Sequence, residues 1–227
     1  MTYPIEIKEL SFRFSKQEHY LLENINLKLK TGELVGIMGL SGSGKSTLLN
    51  IISGVIPHIY QGDILGEVLL LGKSVQDMSI PDICKMLGIV FQDAEHQLFC
   101  PSVEDDIAFG PENLCLAPTD IGNCITHALN QTGISPLRHV NPNHLSGGQK
   151  QLAALASVLS MQPKILLLDE VMSQIDTHGK QQLKNTLKHL KSEGITTLMV
   201  DHDVDNLDIA DHIMVIENKN LSPYKPM

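Results

Sequence analysis

Eight consecutive residues, Gly39-Leu40-Ser41-Gly42-Ser43-Gly44-Lys45-Ser46, followed by Thr47, fit the pattern G-x-x-x-x-G-K-[ST]. They follow a short apolar run, Glu33 to Met38, and lead into Ser46 to Ser53, where Leu48, Leu49, Ile51 and Ile52 recur at helical spacing. Strand, glycine-rich loop and helix together form the context in which this pattern holds phosphate. Glycines let the backbone turn sharply and aim successive N–H groups at phosphate oxygens, and the helix start adds its positive dipole end. Lys45 is placed to reach β- and γ-phosphates, and Ser46 to offer a hydroxyl to Mg²⁺. A plain turn beside a lysine is the competing reading, and the flanking strand and helix weigh against it.

A second group of the right chemistry lies at Ile165-Leu166-Leu167-Leu168-Asp169-Glu170, two carboxylates at the end of a wholly apolar strand. In an open parallel sheet, ligands bind at that edge. Asp169 is the natural outer partner of Mg²⁺, and Glu170 the natural orienter or general base for an attacking water. Solvated strand ends also carry acids, so this pair gains its meaning from the phosphate loop. A third segment, Leu145-Ser146-Gly147-Gly148-Gln149-Lys150, opens a helix rich in Ala and Leu. Ser146 is a good N-cap, and the two glycines leave the first amides open to an anion. One nucleotide rarely needs two helix-terminus sites in one domain. A head-to-tail dimer resolves this, with the second site of one subunit covering the γ-phosphate held by the other. Alone, the segment would read as an ordinary capped helix.

The elements that must position these groups follow from periodicity. Ile5 to Phe14 and Leu21 to Leu29 alternate as half-buried strands, Val68 to Leu71 and Gly88 to Phe91 read as further strands, and a short helix falls near Pro81. Thr119 to Gln131 is predicted helical, with Thr119 as cap and Gly133 as stop. Gly148 to Met161 and Asp176 to Lys191 are predicted helices, Ile195 to Val200 a buried strand, and Ile213 to Ile216 closes the pattern. Strands alternating with helices imply a parallel sheet covered on both faces, while the opening strands read as antiparallel. The expectation is one α/β domain over residues 1–227, ending in a polar, Pro-containing tail from Asn218 to Met227.

Composition bounds the partners. With 17 Lys+Arg against 26 Asp+Glu, the formal charge is −9, which argues against a broad nucleic-acid face while leaving room for a small anion held by backbone amides. No stretch of about 20 continuous apolar residues reads as a membrane span, and Met1 to Glu6 carries no secretory start, so a soluble intracellular domain is expected. Cys84, Cys100, Cys115 and Cys124 show no CxxC spacing and read as buried free thiols.

Taken together, these motifs resemble the ATP-binding-cassette (ABC) ATPases, whose signature is LSGGQ, and the resemblance runs over nearly the whole chain in family order. It implies a P-loop NTPase fold of the ABC type, a mixed sheet core with an antiparallel β subdomain and a helical subdomain at about 93–160. It further implies adenine stacking on Phe14, a Mg²⁺- and water-sensing role for Gln92, and a signature of Leu145, Ser146, Gly147, Gly148 and Gln149 acting in trans. The resemblance also implies that Asp176 ends the dimer-contact loop and that His202 meets the γ-phosphate. His202 also follows a buried strand, as Glu170 does. The family's DEPTSALD reads here as Asp169-Glu170-Val171-Met172-Ser173-Gln174-Ile175-Asp176, so the Pro-Thr pair is lost while both carboxylates remain, and Phe14 stands where Tyr is frequent.

From Gly88 the chain reads GIVFQDAEHQLFCPSVEDDIAFGPENL, which is similar to the matching segment of energy-coupling-factor (ECF) transporter ATPases. That resemblance implies ATPases working in pairs beneath a shared transmembrane subunit at the cytoplasmic face, with a separate membrane protein capturing a vitamin or metal ion. Gln97, Leu98, Phe99, Val103, Ile107 and Phe109 are candidate docking residues, and Glu104, Asp105 and Asp106 read as a solvated helix face. The alternatives are an ABC subunit of another importer or exporter, or a soluble ABC ATPase. Repair members of the latter class need a long insertion that the 100 positions from Lys45 to Leu145 (145 − 45) do not hold.

Overall fold

A computed structural model describes residues 2–225. The opening alternation forms β1 (Ile5–Phe14) and β2 (Leu22–Leu29), the apolar run forms β3 (Leu34–Met38), and the phosphate-loop lysine begins α1 (Lys45–Ile52). A short α2 (Val55–His58) leads to β4 (Gly62–Leu70), β5 (Lys73–Ser74), α3 (Ile80–Cys84) and β6 (Leu87–Val90). Three helices follow, α4 (Val103–Asn113), α5 (Pro118–Thr132) and α6 (Gly147–Leu159). The chain then runs through β7 (Ile165–Asp169), α7 (Thr177–Ser192), β8 (Thr196–Asp201), β9 (His212–Glu217) and β10 (Asn220–Pro223).

The strands divide into an antiparallel sheet of order β2-β1-β4-β5 and a six-stranded sheet of order β10-β9-β3-β8-β7-β6, parallel throughout except for β10 on β9. Side chains of a strand alternate between faces, so β7 contributes to two cores at once. Leu166 and Leu168 pack with the helices α4 to α7, whereas Ile165 and Leu167 pack with α1 and the antiparallel sheet. This double burial is why Ile165 to Leu168 reads as unbroken apolar sequence. Both sequence-expected layers, the antiparallel sheet and the helical group, are present.

Several local expectations are corrected. The N-cap of α5 is Ala117 rather than Thr119, because Pro118 has its φ preset for a helix start and takes the first position; Gly133 ends the helix as expected, at φ 70°. Strand β4 begins at Gly62, well before Val68, and pairs with β1 across a register shift between Lys8 and Ser11. The polar, Pro-containing tail, to which the sequence pattern assigns no element, contains β10, reached by a turn in which Asn218 and Lys219 both take positive φ (49° and 67°). Its last residues, Pro226 and Met227, lie outside the described residues. Of the four free cysteines only Cys124 is buried; Cys84 and Cys115 are exposed and Cys100 is intermediate.

Candidate nucleotide site

The C-terminal ends of four neighbouring parallel strands deliver the chemistry to one edge of the sheet. The phosphate loop leaves β3, Asp201-His202 leaves β8, Asp169-Glu170 leaves β7 and Gln92 follows β6, and β3-β8-β7-β6 are adjacent in that order. Parallel strands joined by helical crossovers present this edge to ligands.

Lys45 is the centre of the cluster. Its side chain is only 4% exposed, its Nζ donates to the carbonyls of Gly39 (2.8 Å) and Leu40 (3.2 Å), and it lies 3.4 Å from Oε1 of Glu170. Gly44, which precedes it, holds φ 101°, a conformation that a side chain disfavours. The hydroxyl of Ser43 is buried without a partner among the described residues, a polar atom left for something the chain does not supply. Ser46 donates to Oδ1 of Asp169 at 3.1 Å. Burial raises the Asp169 carboxyl above its ordinary range, the Ser46 hydrogen bond opposes this, and the neighbouring Glu170 charge adds to the rise.

Glu170 sits at φ 47°, a strained position for a residue with a side chain. Its Oε2 lies 3.1 Å from Nδ1 of His202 while Oε1 faces Lys45, so both carboxylate oxygens are engaged. The loop carrying His202 is anchored by Asp201, fully buried, which accepts from the Asp203 amide and from Asn206, both at 2.9 Å.

Phe14, at the end of β1, packs edge-on against Phe12 at 4.9 Å between ring centroids. With Lys45, Ser46, Thr47, Gln92 and Glu170 it lines a cavity of about 530 Å³. A second cavity, of about 950 Å³, opens on the other side of the phosphate loop between Gly39 to Ser43, Glu170, His202 and the end of β9. Gln92 lines the smaller cavity with Ser46, and its Nε2 reaches Oγ of Ser173 at 3.4 Å.

Residues Leu145 to Gln149 line neither of these cavities. Ser146 caps α6 in a reciprocal capping box with Gln149, its Oγ accepting from the Gln149 amide at 3.3 Å. Gly148 is required for close packing: a Cβ there would meet the Cα of Gly179 at 3.0 Å. Asp176 caps α7 by accepting from the Gly179 amide at 2.7 Å. The two signature glycines thus divide their duties, Gly147 exposed and Gly148 buried.

The candidate docking residues separate. Val103, Ile107 and Leu98 belong to the core of the helical layer, and Gln97 staples its own loop, accepting from the Phe91 amide and donating to Ile89. Phe99 and Phe109 remain exposed, 65% and 48%, stacked edge to face at 4.9 Å. The acidic face of α4 is not uniformly solvated. Asp106 is buried and accepts from the amides of Phe99 and Cys100, while Glu104 pairs with Arg138 and His139. A helix of 3.6 residues per turn turns one acid of a consecutive trio inward, and local sequence alone did not say which.

Sheet order, phosphate loop and strand-end carboxylates define a P-loop nucleotide-binding fold of the ABC type. A family model described as ABC transporter matches residues 22–173, and the chain belongs to that family. A Methanosarcina mazei protein provisionally named ABC transporter ATP-binding protein is 39% identical over 216 residues, which is 94% of this chain and 37% of the relative. A Pyrococcus horikoshii protein of the same name is 40% identical over 215 residues, 94% of this chain and 76% of the relative. The chain therefore spans little more than a third of the first relative and about three quarters of the second. The structure of cbiO1 from Clostridium perfringens, described as part of the ABC transporter complex cbiONQ, matches with a TM-score of 0.88 at 34% identity, covering 97% of this chain and 87% of that one. No helix among the described residues is long and apolar enough to cross a membrane.

Proposed function

We propose that this chain binds ATP with Mg²⁺ and hydrolyses it as one of a pair of subunits that drive a membrane transporter. The observation that carries the reading is the convergence of Lys45, Ser46, Asp169, Glu170 and His202 at the ends of β3, β7 and β8. The donors suit a hard cation: a hydroxyl and a carboxylate already 3.1 Å apart, with substrate phosphates to complete the set. Ser46 and Asp169 would hold Mg²⁺, with Gln92 as a further donor. Bound there, the ion would neutralise charge on the β- and γ-phosphates.

The chain's own groups supply the rest. Lys45 gives its charge to the phosphates, and the amides of Gly39 to Thr47 cradle them. Glu170 orients a water and takes its proton as the water oxygen bonds to the γ-phosphorus and the bond to the β-bridging oxygen breaks, leaving ADP and phosphate. His202 holds Glu170 in place and meets the γ-phosphate. Phe14 supplies an aromatic face for adenine. Leu145 to Gln149 act on the nucleotide of a second ABC subunit, with Asp176 in the contact between the two. In support, these signature residues line neither cavity beside their own phosphate loop.

The transporter we infer is of the ECF type, taking up a vitamin or metal ion, with this chain peripheral at the cytoplasmic face beneath a transmembrane subunit and a substrate-capture protein. The Gly88 to Leu114 segment and the likeness to cbiO1 support it. Exposed Phe99 and Phe109 are the side chains left to meet the membrane partner. Detergent extraction of native membranes with a tagged chain tests the assignment. It predicts recovery of a second ABC subunit and a multi-span membrane protein; recovery of neither, with the chain free in the soluble fraction, contradicts it.

A further inference from the structure

We propose that Gln151, one turn into α6, is a positioning residue that ties the Gln92 loop to the helix opened by the signature, so that the two move together. The inference rests on the hydrolysis reading above. Gln151 is 4% exposed, and its Nε2 donates to the main-chain carbonyl of Gln92 at 2.7 Å and, more weakly, to that of Phe91 at 3.4 Å. The opposite side of the same loop is fixed to β6 by Gln97, which accepts from the Phe91 amide at 3.2 Å and donates to the Ile89 carbonyl at 3.0 Å. Lys150, the neighbour of Gln151, adds an ion pair to Glu95 just beyond the loop.

The polar path continues past Gln92. Its Nε2 reaches Oγ of Ser173, which donates to the main-chain carbonyl of Glu170 at 2.8 Å. One chain of hydrogen bonds therefore joins the first turns of α6 to the residue proposed to activate water. Packing does not account for an amide at position 151. Its neighbours in the helix, Leu152, Ala153, Ala154, Leu155 and Ala156, are buried and apolar, and Oε1 of Gln151 is buried with no partner among the described residues. An apolar side chain of similar shape would fill the space without stranding that oxygen. What it could not do is donate to the Gln92 carbonyl. A displacement of α6, such as engagement of residues 145–149 by a second subunit would bring, then shifts the main chain of Gln92. The side chain of Gln92 is carried with it relative to Ser173 and Glu170.

Gln151→Met, nearly isosteric and without the donor, is the test, with Gln151→Glu, which sets a carboxylate against the two carbonyls, as second variant. For folded Gln151→Met we expect kcat to fall about tenfold while KM for ATP moves less than twofold. Because Gln151 acts through Gln92, the Gln92→Ala, Gln151→Met double variant should turn over within about twofold of Gln92→Ala alone. Independently of nucleotide, amide exchange over residues 91–97 should quicken in both Gln151 variants and stay unchanged in β3. Wild-type kcat in Gln151→Met, multiplicative losses in the double variant, or unchanged exchange over 91–97 would overturn the proposal. A wild-type protein that does not hydrolyse ATP would overturn the hydrolysis reading, and the exchange measurement would still decide whether Gln151 tethers the loop.

Discussion

Nδ1 of His202 lies 3.1 Å from Oε2 of Glu170, the two residues standing just past the ends of the neighbouring strands β8 and β7. Lys45 holds the other carboxylate oxygen at 3.4 Å, so the orientation of Glu170 is set from both sides before substrate enters. On the proposed reading, a phosphate arriving at Lys45 competes for that ammonium, leaving His202 as the residue that keeps Glu170 aimed. His202→Ala should therefore lower kcat about tenfold or more while changing ATP affinity little. Steady-state turnover beside equilibrium binding of a fluorescent ATP analogue separates the two effects.

Leu98 and Phe99 are adjacent in sequence and opposite in environment, 8% and 65% exposed. Leu98→Asp should cost about 3 kcal/mol or more, since it removes core contacts and buries an unpaired charge. Phe99→Asp forfeits chiefly the edge-to-face contact with Phe109, about 1 kcal/mol. Urea denaturation midpoints check the difference, and only the Phe99 variant can then be used to probe association with a membrane partner.

The hydrogen bond and charge of Arg138 hold the Glu104 carboxyl below its ordinary value of 4.5, against the opposing effect of burial, with His139 adding to the lowering. A depressed carboxylate stabilises the fold above its unfolded pKa, and that contribution is lost as pH falls through the folded one. Glu104→Gln should be about 1 kcal/mol less stable than wild type at neutral pH. The gap should close as the pH drops below 4.5. Thermal melts across that range measure it.

Burial and the nearby Asp106 charge push the Cys100 thiol up to about 11, whereas Cys115 is exposed. Alkylation needs the thiolate, of which Cys100 has roughly one part in a thousand near pH 8. Iodoacetamide followed by peptide mass spectrometry should therefore modify Cys115 well before Cys100.

Much of this was legible in the sequence because period and motif coincide. The unbroken apolar run Ile165 to Leu168 identified a strand buried on both faces, and the acids after it could only emerge at the sheet edge shared with the loop after β3. What stayed hidden depends on contacts between distant residues. Asp106 looked like its neighbours Glu104 and Asp105 until the Phe99 and Cys100 amides came to it. The Lys45–Glu170 pair joins positions 125 apart (170 − 45), and no local pattern reports it. Gln151 left a trace, one amide within a run of apolar residues, but its partner Gln92 lies 59 positions earlier. β10 was missed because Asn218 and Lys219 make the reversal without glycine, and Pro223 is tolerated since β10 is an edge strand.

The central claim is that Glu170 activates water on an ATP held by Lys45. Its most direct test is Mg²⁺-dependent ATP turnover by purified Glu170→Gln protein, measured beside its ATP affinity. Removal of a general base should lower turnover about 100-fold or more while ATP stays bound, trapped in a dimer. Turnover equal to wild type by the Glu170→Gln protein would contradict it.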